Sequence, residues 1–153
     1  MNRLSAVLAL MLSMVVIQAC STYPNRSGRP NPVVGTWIVN DVDAPFPYHM
    51  YVFNGDGTLQ QANPDAGDPN SSDSDGKGIW VIDGDRIKGK WVEVTADRAT
   101  HKFTGRAEIS FDIRVDHDAF AGTATARSYD AGGILTDGPT SPGRFEGKRI
   151  TYP

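Results

Sequence analysis

The chain has 153 residues, with 15 Lys and Arg against 18 Asp and Glu and three His, for a formal charge of −3. No basic run and no interleaving of aromatic with basic residues occurs, which excludes nucleic acid as a partner class. The single cysteine excludes an internal disulfide framework, and the length suits one domain that buries its own core.

In chain order, Asn2 and Arg3 make a polar, positively charged start, and Leu4 to Ile17 is nearly all apolar, broken by Ser5 and Ser13. That stretch fits a signal-peptide core and falls short of the roughly 20 residues a membrane-spanning helix needs. It ends in Ile17-Gln18-Ala19-Cys20, which resembles the lipobox of bacterial lipoprotein precursors: an aliphatic residue, a small residue before the cut, then cysteine. The resemblance implies a signal peptide over residues 1–19, cleavage after Ala19, a diacylglycerol on Cys20 and a third acyl chain on the new amino terminus. Two or three such chains hold a protein firmly to a bilayer where one does not. Ser21 stands where aspartate would be the inner-membrane retention signal of enterobacteria. By that analogy the anchor lies in the outer membrane of the cell envelope, facing the periplasm, in a host that has one. Cleavage removes only Arg3 among the charged residues, leaving 14 basic and 18 acidic side chains, a formal charge of −4 and no thiol beyond Cys20.

Residues 20–32 read as a flexible tether, because Pro24, Pro30, Pro32, Gly28 and Ser27 offer nothing to pack. The folded domain is expected over 33–153 and is all-β. Its strongest signal is Phe103 to Val115, where Phe103, Gly105, Ala107, Ile109, Phe111, Ile113 and Val115 alternate with polar residues, the period of a strand with one buried face. Phe120 to Tyr129 repeats the pattern after the turn Asp116-His117-Asp118. Further strands are predicted at Val33–Val39, Tyr48–Phe53, Thr58–Ala62, Gly78–Ile82, Arg86–Thr95 and Arg144–Tyr152, most joined by Asn-, Asp- and Gly-rich turns. Eight hairpin-linked strands without a helix predict an eight-stranded antiparallel up-and-down β-barrel. A two-sheet sandwich shares the same strand pattern.

Gly35-Thr36-Trp37 at the head of the first strand resembles the Gly-x-Trp signature of lipocalins and the wider calycin superfamily. In that group the tryptophan lies across the closed end of the barrel and an arginine near the end of the last strand packs over it. The resemblance implies these structural roles for Trp37 and Arg149, and a guanidinium on an indole face is a favourable pair. More broadly, residues 33–151 resemble uncharacterised bacterial lipocalin-like secreted proteins that share Gly-Thr-Trp, a Phe-x-x-Asp-Gly-Thr hairpin (Phe53, Asp56, Gly57, Thr58), a following Asn-Pro and a second Gly-x-Trp (Gly78, Ile79, Trp80). The resemblance brings a fold and no activity.

Candidate site residues follow from facing. Gly122, Ala124 and Ala126 share one face beside bulky Ile109 and Phe111, an arrangement that either interdigitates in a dry core or leaves room for a guest. Parity puts Glu93 with Ile87 and Trp91; a bulge near Gly89 would turn it outward. An inward Glu93 would have a raised pKa or a polar partner. With Trp91, Tyr51, His49 and Phe111 it makes the candidate ligand-binding set. No catalytic set, metal motif or cofactor motif is present. The segment 65–76 has the acidic flavour of a calcium loop but fails the EF-hand register at Ser71 and Ile82, and reads as a mobile loop over one mouth. The favoured function is a membrane-anchored barrel binding a small apolar ligand or an envelope partner. The alternatives are a barrel enzyme of cyclase or isomerase type, steered by Glu93, His49 or Tyr51, and a filled-core scaffold. A filled interior would leave only the scaffold, and an open cavity containing Glu93 would favour the enzyme.

Overall fold

The computed structural model describes residues 31–44, 46–64 and 68–153. The signal peptide, Cys20 and the tether up to residue 30 lie outside the described residues. Ten strands follow one another: β1 (Gly35–Asp41), β2 (Tyr48–Phe53), β3 (Thr58–Ala62), β4 (Ser71–Asp73), β5 (Gly76–Asp83), β6 (Arg86–Asp97), β7 (Phe103–Asp116), β8 (Ala119–Asp130), β9 (Leu135–Asp137) and β10 (Gly143–Arg149).

Eight of them form a closed ring. The order β1-β2-β3-β5-β6-β7-β8 is completed by β10, which pairs antiparallel with both β8 and β1. No edge is left in the ring, so the domain is a barrel and not a sandwich. The two additional strands are short: β4 pairs with the end of β6 and β9 with the end of β8. Within the segment 65–76, read from sequence as a mobile loop, Ser71–Asp73 is instead tied to Thr95–Asp97 by main-chain pairing, and residues 65–67 lie outside the described residues. The last strand stops at Arg149 rather than running to Tyr152, whose side chain is exposed. Phe103, placed inward by alternation, is half-exposed, since β7 overshoots the ring and its register slips opposite Thr95/Ala96.

The tight turns after β2, β5 and β7 gather at one end of the barrel, together with the start of the domain and the end of β10. This end is sealed. Trp37 is fully buried, donates Nε1–H to Val33 O at 2.8 Å, and packs its ring 5.1 Å from that of Phe120. The Arg149 guanidinium lies 4.2 Å from the centre of the Trp37 ring. It also donates to Val34 O at 2.6 Å, to Pro32 O, and to Asp118 Oδ1 at 2.9 Å. One side chain thereby ties the chain start, the first strand and the β7–β8 turn. Gly35 explains the first letter of the motif: its φ is +138°, and a Cβ there would stand 2.7 Å from Arg149 Nη1.

Above this floor the inward side chains are large. Phe53, Phe111, Phe120 and Phe145 are buried with Leu59, Ile113 and Val39, and Phe111 stacks on Phe145 at 5.8 Å. Gly89 makes room for Phe111, whose Cζ is 2.3 Å from where a Cβ would fall. The opposite end, where the chain passes from β1 to β2, from β3 to β5, from β6 to β7 and from β8 to β10, is the mouth.

Candidate functional site

Toward the mouth the inward side chains on two adjacent strands shrink. Ala107 on β7 and Ala124 and Ala126 on β8 line the interior together with Tyr51 on β2 and Trp91 on the neighbouring β6, and Gly143 opens β10 beside Ala124. The result is a cavity of about 620 Å³, within the roughly 300–1,000 Å³ typical of sites that take small organic molecules. The interior is therefore filled in its lower half and open in its upper half. The loop Thr140-Ser141-Pro142 and Phe46 complete the wall near the mouth.

Glu93 lies inside. The β6–β7 register runs without a break from Ile87↔Ile113 to Thr95↔Gly105, so no bulge at Gly89 turns the strand. Its side chain lines the cavity, and the residue is only 9% exposed. Burial is the main cause, with the charges of Asp73 and Asp75 adding to it, that pushes this carboxyl up to about 7; the Gln61 side chain beside it works in the opposite direction.

Gln61 organises the polar side of the cavity. It is 1% exposed and sits on β3 opposite Gly76. A Cβ at Gly76 would stand 2.7 Å from Gln61 Oε1 and 2.6 Å from the Trp91 ring, so the glycine is what lets these side chains meet. The Gly76 backbone N–H donates to Gln61 Oε1 at 2.9 Å. That bond fixes the amide orientation, leaving Nε2 to donate to Asn63 Oδ1 and, at 3.1 Å, to His49 Nδ1. An amide nitrogen cannot accept, so Nδ1 carries no proton and the neutral ring holds its proton on Nε2. Burial lowers the His49 pKa against the opposing charge of Asp41. His49 Nε2 is, among the described residues, the one buried side-chain N or O atom without a hydrogen-bond partner. It is a donor closed off from solvent behind the cavity wall, next to the Phe46 backbone.

Tyr51 and Trp91 form the cavity floor. The Trp91 Nε1–H donates to Tyr51 Oη at 2.7 Å, and burial raises the phenol well above its ordinary range, so it stays protonated. No protein-family model, curated protein or solved structure matches this chain.

Of the five residues assigned to a ligand site from sequence, Glu93, Trp91, Tyr51 and His49 converge on the cavity. Phe111 does not line it. It belongs to the aromatic stack below, 6.4 Å from Tyr51 and 5.9 Å from Phe53 between ring centres. Gln61, Asn63 and the 140–143 loop were not foreseen, although Gln61 shares parity with inward Leu59 on a short strand.

Proposed function

We propose that this protein is a lipid-anchored barrel of the cell envelope that binds one small, largely apolar ligand through the mouth. The observation that carries the reading is the cavity itself, whose apolar wall of Ala107, Ile109, Ala124 and Ala126 faces a polar side that holds His49, Asn63, Glu93 and the carboxylates of Asp41, Asp43 and Asp73. A few placed polar groups in an apolar pocket fix a ligand's orientation; here the Glu93 carboxyl would meet a polar group on it. Native mass spectrometry of protein purified from its own envelope is expected to show a retained molecule, lost on Ala126→Trp, which fills the upper cavity. Protein that carries nothing in either form would overturn the reading.

The anchor rests on the lipobox. Cys20→Ser is expected to abolish acyl labelling and release the domain from membranes. A mutant that stays bound, with a parent that takes up no label, would refute it.

A second reading, an enzyme, is favoured by the open cavity that contains Glu93. Glu93, held near 7, both gives and takes a proton at neutral pH, as an acid–base isomerase or cyclase requires. The two readings part on what Glu93→Gln retains. The same molecule as the parent supports binding alone, whereas a different isomer held only by the variant supports catalysis.

A further inference from the structure

The charge of the cavity wall narrows the ligand class. Four charged side chains line it, Asp41, Asp43, Asp73 and Glu93, and all are acidic; no lysine or arginine reaches it. Cations on the strands that carry and adjoin Glu93 are committed elsewhere: Lys88 pairs with Asp83, and Lys90 and Arg106 both pair with Glu108. Glu93 takes part in no ion pair among the described residues. A carboxylate or phosphate ligand would enter a field of its own sign with no counter-charge to meet, which costs more inside a cavity than in water. A cation meets the reverse. It gains the Glu93 carboxylate, and the aromatic rings of Trp91 and Tyr51 share the cavity with it. These acidic groups do not converge on a point: among the described residues no three His, Cys, Asp or Glu side chains are arranged to hold a metal ion. The match is therefore to an organic cation and not to an inorganic one.

We propose that the cavity takes an organic amine with an apolar body, its ammonium against Glu93 and its hydrocarbon against Ala107, Ile109, Ala124 and Ala126. This rests on the ligand-binding reading above and adds the sign of the ligand's charge. Titration calorimetry of the mature chain at pH 8 with decylamine, decanol and decanoate tests it, because the three share one chain length and differ in head-group charge. Decylamine is expected to bind at least tenfold more tightly than decanol, with decanoate weakest. Glu93→Gln is expected to bring decylamine to within threefold of decanol while leaving decanol unchanged. A decylamine preference below threefold in the parent, decanoate binding as tightly as decylamine, or a preference that survives Glu93→Gln would each overturn the proposal. Should none of the three bind, the ligand-binding reading falls too; should all bind alike, that reading stands and only the assignment of charge fails.

Discussion

Replacing Trp37 with alanine is expected to lower the stability of the domain by about 4 kcal/mol, in the range for deleting a buried indole. Three losses combine. The cavity left by the ring adjoins Phe120, whose ring centre is 5.1 Å away. The Val33 carbonyl loses its donor at 2.8 Å. Arg149 loses the surface on which its guanidinium rests at 4.2 Å. Thermal unfolding should fall by roughly 10 °C or more for a domain of this size. Trp37→Phe keeps a ring under Arg149 and is expected to recover more than half of the difference. A Trp37→Ala protein melting within 3 °C of the parent, roughly the effect of a single weak contact, would show that the sealed end carries little of the stability.

The second large effect is a dependence of stability on pH that runs opposite to that of most carboxylates. In the folded chain the Glu93 carboxyl holds its proton to about 7, against 4.5 for the free group. Between those values the native state binds more protons than the unfolded chain, so this group's contribution falls as pH rises from 4.5 toward 7 and stays at its lower level above. The span is on the order of 3 kcal/mol. His49 acts the other way: its folded pKa is lowered, so its contribution is present above 6.5 and lost as pH falls. The two oppose one another in the parent, and Glu93→Gln separates them. The variant is expected to be more stable than the parent at pH 8 by about 2–3 kcal/mol and close to it at pH 4. Urea denaturation at the two pH values checks this. A variant less stable than the parent at pH 8 would mean that the carboxylate is stabilised where it sits.

How the site came to be only partly legible follows from what periodicity carries. Alternation along β6 and β7 tells which way Trp91, Glu93 and Ile109 face, and an unbroken register preserved that facing through Gly89. It does not tell how deep along the barrel a side chain lies. Depth depends on the stagger between strands, and this is why Phe111, correctly inward, ended in the floor beneath the cavity. Gln61 was hidden differently. Two adjacent glutamines on a five-residue strand leave the inward one ambiguous until Leu59 is placed. The loop Thr140–Gly143 has no period at all, and only the closure of β10 onto β8 brings it over the mouth. At the sealed end Trp37 and Arg149 were legible through the Gly-x-Trp resemblance, and the register that pairs Trp37 with Arg149 sets the two side by side.

The chain enters the barrel at the end that Arg149 stitches shut, through Pro32 and Val34. A leash on that side pulls on the base of a cup, not on its rim. From Cys20 to Asn31 it spans at most about 40 Å when fully drawn out, and a tilted twelve-residue strand rises roughly 30 Å. Under the proposed anchor at Cys20, an upright cup would open away from the bilayer. Trading a ligand with that bilayer would then require the domain to tip over, and the tether's reach sets whether it can. Shortening the leash would then slow exchange with the host membrane while leaving affinity untouched, and exchange with an opposing surface would be spared.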